Sequence, residues 1–214
     1  TDRSVRTGSG MGESTADRGE KHPRLVKAAT AVFAKKGYAS TRVADIAERA
    51  GVGKGTVYEY FSSKEALLFA VFESINDDVS SRLEAALSEG GPARDTLFAL
   101  FRLGAEVIGE QMDLTPVMLD FWAASRGENF EESYREAVAA TYEKYRNLIA
   151  DFVRGGQEGG EFRSEVDAGA LAATVVATMD GLGIQLSFDR SIDTHRITET
   201  LSHLLCESLT PESP

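Results

Sequence analysis

The residues of this 214-residue chain best suited to chemistry lie between positions 41 and 64. Thr41, Arg42, Lys54, Thr56, Tyr58, Tyr60 and Lys64 bring cations and hydroxyls into one short stretch, with Gly55 among them. Lysine and arginine neutralise phosphates, and threonine and tyrosine hydroxyls hydrogen-bond to them. Threonine also reaches a base edge or a thymine methyl, and a residue without a side chain lets backbone and duplex approach closely. The chemistry is recognition of a polyanion. For Tyr60, and less so for Tyr58, inward packing is the competing reading. Residues 1–64 carry 12 Lys and Arg against 7 Asp and Glu, a balance of +5; residues 65–214 carry 11 against 27, a balance of -16. The total of -11 therefore hides a basic head on an acidic body, which suits only the head to nucleic acid, with chance clustering on a solvated surface as the competing reading.

Catalysis finds no comparable support. His22, His195 and His203 have no Asp or Glu pair nearby whose metal spacing with them exceeds chance. Cys206 is the single cysteine, which excludes an intramolecular disulfide and any site built on several thiolates from one chain. The run Gly51-Val52-Gly53-Lys54-Gly55 lacks the spacing of a phosphate-binding loop and reads as a turn. The expectation is a binding protein, not an enzyme, with no metal and no cofactor.

The polar residues of the head need short helices to hold them. TRVADIAERAGVGKGTVYEYF, residues 41–61, reads as two helices of about two turns joined by a glycine-containing turn, a helix-turn-helix. Ile46 and Val57 should face each other, Ala47 should allow close approach, Gly51 should supply the turn conformation and Val52 should plug the turn into the core. Ser40 or Thr41 is the expected N-cap of the first helix. The stretch AATAVFAKKGYASTRVADIAERAGVGKGTVYEYFSSKEALL, from Ala28, resembles the N-terminal domain of the TetR family of bacterial transcriptional regulators. The resemblance covers about a fifth of the chain. It implies three N-terminal DNA-binding helices, a long connecting helix, and a divergent ligand-binding and dimerising core. Gly53 departs from the serine that many members carry there, which removes a hydroxyl from the start of the recognition helix. Phosphate contacts are expected from Thr41, Arg42, Lys54, Tyr58, Tyr60 and Lys64, the last aided by a helix N-terminus.

The whole chain reads as all-α, with about nine helices. Residues 1–20 are polar and read as a disordered arm, with Met11 as the expected native start. Residues 21–64 form the expected DNA-binding domain and 65–210 the ligand-binding and dimerisation domain. Helix starts are expected at Ser63, Pro92, Thr115-Pro116, Asn129, Asp167 and near Asp193. No stretch reaches the ~18 uninterrupted apolar residues of a membrane span, and the expected compartment is the cytoplasm.

The body is rich in aromatic and methionine residues. Phe98, Phe101, Met118, Phe121, Trp122, Tyr142, Tyr145 and Met179 are the candidate lining of an apolar pocket, with core packing as the competing reading for each. Arg102 and Asp180 are the candidate polar groups. Asp180, inside an apolar helix, could meet a ligand, cap the chain beside Gly181, or pair with an arginine across a dimer. The Ala- and Gly-rich helix around it and the last helix, with Ile197, Leu201, Leu204 and Leu205, suit a homodimer interface. The expected partners are operator DNA, an apolar or aromatic effector and a second copy. The expected function is a repressor released by ligand, coupled through Phe72, Ile75 and Val79 of the long helix. The alternative is a helical small-molecule carrier with a vestigial DNA-binding head.

Overall fold

The computed structural model describes residues 15–127 and 131–211, and side chains from residue 20 onward. Among the described residues there are nine α-helices, one short 3-10 turn and no strand. The helices are α1 (Thr15–Lys36), α2 (Val43–Ala50), α3 (Lys54–Tyr60), α4 (Lys64–Ser88), α5 (Ala93–Glu110), α6 (Thr115–Ser125), α7 (Glu132–Glu158), α8 (Ala168–Phe188) and α9 (Thr194–Leu209). The 3-10 turn, Met112–Leu114, leads into α6.

Residues 1–14, including the expected start at Met11, lie outside the described residues, as does Asn129. Residues 15–20, which composition assigns to a disordered arm, are helical. Pro23 lies within α1, although its ring nitrogen has no proton to give the turn before it. Leu25, Val26, Ala28 and Ala29 are buried immediately afterwards, and a helix anchored in this way extends at little cost per residue.

The helix-turn-helix is built as its sequence requires. Ile46, Ala47 and Val57 are buried between α2 and α3, and Gly51 adopts the left-handed conformation at φ 66°. The start of α2 differs from expectation. Its N-cap is Arg42, whose backbone N–H donates to Asp45 Oδ2 at 3.0 Å. Thr41 is buried, and its hydroxyl donates back to the Gly37 carbonyl at 2.7 Å. That bond closes the turn after α1, where Gly37 sits at φ 73°. Further along, Ser63, Asp167 and Asp193 cap α4, α8 and α9 through their side chains, each accepting a backbone N–H three residues on.

Two apolar clusters organise the molecule. The first unites α1–α3 with the first half of α4 and with Val117 and Phe121 of α6. The second gathers α5, α7, α8 and α9 around Phe101, Val153 and Phe162. α9 lies along α5, and α8 along α7. α8 is the one described helix long and apolar enough to cross a membrane, yet only Ala168, Ala172, Leu182 and Leu186 of its residues are buried.

Candidate DNA-binding face and ligand cavity

The exposed surface of α3 carries Lys54, Gly55 and Tyr58, with Thr56 half-buried beside them. Lys54 Nζ stands 5.7 Å from the Tyr58 ring centroid, so the cation and the half-exposed phenol form one unit. Gly53 caps α3 without a side-chain bond. Arg42 projects from the start of α2 with its side chain 82% exposed, its guanidinium 3.6 Å from Asp45. These are the DNA-contact candidates of the helix-turn-helix that reach solvent.

Three other candidates are placed differently. Thr41 is buried by its bond to Gly37 and offers no hydroxyl to solvent. Tyr60 is half-buried, its hydroxyl enclosed and its ring 6.4 Å from that of His22, so inward packing wins. The Lys64 ammonium donates to the Tyr38 and Thr41 carbonyls at 3.0 and 3.2 Å and sits 4.1 Å above the Tyr38 ring. Those carbonyls, in the non-helical segment between α1 and α2, attract the cation that the sequence offers to phosphate. Lys64 therefore fixes the segment that leads to Arg42.

Tyr38 ties the head to the body. Its hydroxyl donates to Glu65 at 2.7 Å, and its backbone N–H donates to Asp120 Oδ2 of α6 at 2.6 Å. The phenol bond holds the Glu65 carboxyl below its usual range, while burial pushes the Tyr38 hydroxyl well up. Asp120 belongs to a helix whose Thr115, Met118 and Trp122 line a cavity in the body.

That cavity has a volume of about 250 Å³ and is walled by α4 to α8 between the two apolar clusters. Phe101, Met118, Trp122, Tyr142, Tyr145, Met179 and Asp180 all line it. Three candidates do not. Phe121 is buried in the first cluster, its ring stacked 4.4 Å from that of Phe72. Phe98 packs edge-on against His203, 4.8 Å away, between α5 and α9. Arg102 points outward, 73% exposed, with Glu106 3.8 Å from its Nε. Phe72, Ile75 and Val79 of α4 are also in the wall, so α4 as well as α6 touches any occupant.

Asn76 is a wall residue that the aromatic pattern misses. It falls on the stripe Phe72, Asn76, Val79, Leu83, where a polar residue at helical spacing is the available signal. Both its side-chain oxygen and its backbone carbonyl accept the Tyr145 hydroxyl at 3.0 Å. Within the wall Gly104 of α5 packs against Met179 of α8, and a Cβ at 104 would lie 2.9 Å from Met179 Sδ.

Asp180 is the charged residue of the wall. Burial raises its pKa, partly opposed by the Tyr142 hydroxyl beside it, and the Trp122 indole lies next to that hydroxyl. A carboxyl with a raised folded-state pKa costs stability once ionised. The cost is absent below the ordinary aspartate pKa of about 4 and complete above the folded value. Asp180→Asn should therefore melt at higher temperature than the parent at neutral pH, and the gain should close as the pH falls towards about 4. A variant less stable than the parent at neutral pH would mean that the carboxylate is a structural bond.

Residues 25–71 match the family model of bacterial regulatory proteins of the tetR family, and residues 92–210 match that of the C-terminal part of BetI-type transcriptional repressors. The fatty acid metabolism regulator protein of Bacillus subtilis (strain 168) is 26% identical over 161 residues, covering 75% of this chain and 80% of that protein. A protein from Saccharomonospora viridis solved in complex with choline superposes with a TM-score of 0.76 at 27% identity, over 91% of this chain and 100% of that one. FadR from Bacillus subtilis, solved with stearoyl-CoA, shares the fold at a TM-score of 0.74 and 23% identity, over 87% and 98% of the two chains.

Proposed function

The chain belongs to the TetR family of bacterial regulatory proteins, and on that premise we propose that it is a cytoplasmic repressor that binds operator DNA as a homodimer and leaves it when a small molecule fills the cavity. Residues 21–64 read the DNA, and residues 65–210 hold the ligand and the second subunit. The relatives hold molecules as different as choline and stearoyl-CoA. The ligand's character must therefore be argued from this cavity's own wall.

The observation that carries the reading is the placement of α6. Met118 and Trp122 face the cavity, while Asp120, between them in sequence, holds the backbone of Tyr38 in the head. A ligand that shifts α6 shifts Tyr38, and with it the segment that Lys64 anchors and that leads to Arg42. The ligand acts only through its different affinity for the two arrangements, and operator DNA must weaken ligand binding by the same factor.

The dimer follows from uncovered apolar surface. α8 presents Ala170, Ala173, Thr174 and Ala177 to solvent, and Phe188, Ile197 and Leu204 of α8 and α9 are 82%, 39% and 56% exposed. Small residues let helices of two subunits approach, and a pair of heads matches two half-sites about 34–36 Å apart, or a multiple of that.

Fluorescence anisotropy with a labelled duplex from upstream of the protein's own gene tests the reading. The expected result is strongly salt-dependent binding. Lys54→Met should reduce the salt slope by about 2, because each of the two subunits loses one phosphate contact. Lys64→Met should weaken binding with the slope unchanged, because its ammonium serves the protein's own carbonyls. A slope change in Lys64→Met alone would restore it as a phosphate clamp. Asp120→Ala should bind ligand as the parent does, yet lose most of an operator release that is typically about 5–150-fold. Full release in that variant would remove α6 from the coupling path.

A further inference from the structure

We infer that the effector is an apolar organic cation whose charged head lies against Asp180, Tyr142 and Trp122. The inference rests on the ligand-responsive reading above and adds the chemical class of the ligand. Among the described residues the cavity wall contains no Lys, Arg or His, and its one charged group is the Asp180 carboxylate. An anionic head would meet that carboxylate with no cation to offset it, after losing its own water. A neutral head would leave the carboxylate without a counter-charge. An ammonium supplies the missing charge, and the Trp122 and Tyr142 rings in the same wall add attraction for a cation that reaches them in a desolvated setting. The remaining wall, from Phe101, Ile108, Ile149 and Val175 among others, suits an alkyl or aryl body.

The surroundings have the same sign. Burial raises the pKa of the Tyr145 hydroxyl, and Asp77 and Asp180 lie close enough to add to the rise. The groove next to the cavity shares Ile75 and Gln111 with it and is lined by Glu73, Asp77, Asp78 and Glu110, against His22 and Lys27, with Arg82 paired to Glu110 at 2.7 Å and to Asp78 at 3.8 Å; the acids still outnumber the cations. A cation approaching from that side enters a favourable potential, and an anion does not.

The test uses the full chain and three probes with one tail: octyltrimethylammonium, 1-octanol and octanoate. Trp122 is the only tryptophan and lies in the wall, so its fluorescence reports occupancy. At pH 7.5 the cation should bind roughly tenfold or more tightly than either partner, and Asp180→Asn should erase most of that gap. Octanoate binding as well as the cation, an undiminished cation preference in Asp180→Asn, or no cation binding up to millimolar probe would each overturn the inference. Operator anisotropy is read separately in saturating cation. Binding with the expected charge preference but unchanged operator affinity would overturn the ligand-responsive reading and leave the charge preference standing.

Discussion

Ala177→Arg should convert the protein to a monomer and remove operator binding at concentrations where the parent saturates. Ala177 is exposed on α8, outside the cavity wall and away from the packed residues Ala172, Leu182 and Leu186. A guanidinium there costs the isolated subunit little, because it points into water. In a dimer built on this face it would sit between closely packed helices, unpaired and desolvated, and close approach through small residues would be lost. Two linked heads bind two half-sites with an avidity about 10²–10⁴-fold above that of one, and the monomer should lose a comparable factor in operator affinity. Light scattering on a sizing column reads the mass, and anisotropy reads the affinity. A dimer of undiminished affinity would move the interface elsewhere.

Phe121→Ala should have the largest effect on stability. The ring is 1% exposed, stacks at 4.4 Å and 10° on Phe72, and lies 6.3 Å from Phe69. It joins α6 to α4 at the base of the head, so the surrounding helices cannot collapse to fill the space it leaves. Removing a buried phenylalanine side chain costs about 3–5 kcal/mol. For a chain of this size that lowers the melting temperature by roughly 2–4 °C per kcal/mol. Met118→Ala, one turn away in the cavity wall, opens onto existing space and should cost clearly less. Equal losses for the two would mean that the cavity closes when empty.

That pair of neighbours marks where the sequence is legible and where it is not. The helix-turn-helix announces itself because its constraints are local: Ile46 against Val57, a left-handed Gly51 and a short turn are all set within twenty residues. Phe121 and Trp122 are adjacent aromatic residues on one helix, and periodicity cannot say which faces solid core and which faces empty space. That depends on where α4 and α8 lie, and these are distant in sequence. The intramolecular role of Lys64 is hidden from the sequence for the same reason. Its partners at Tyr38 and Thr41 are 26 and 23 residues away, and they are backbone carbonyls that no side-chain pattern displays. Asp120, next to Phe121 in the chain, likewise reaches 82 residues back to the Tyr38 backbone, a partner that no local pattern displays. The cavity aromatics are recoverable because bulky residues crowd α5, α6 and α7, three of the helices that border the cavity.

The contact between Gly104 and Met179 has a consequence for descent. Any side chain at 104 must push the thioether of Met179 aside, and a flexible methionine yields into the open space next to it. One codon at 104 can therefore resize the chamber, while the packing of Ile46, Val57 and Phe33 in the head is untouched. After gene duplication, the two copies could diverge in what they sense through a single methyl group and keep the same operator. New sensitivities would then arise on an inherited control circuit, with no intermediate that has lost its DNA.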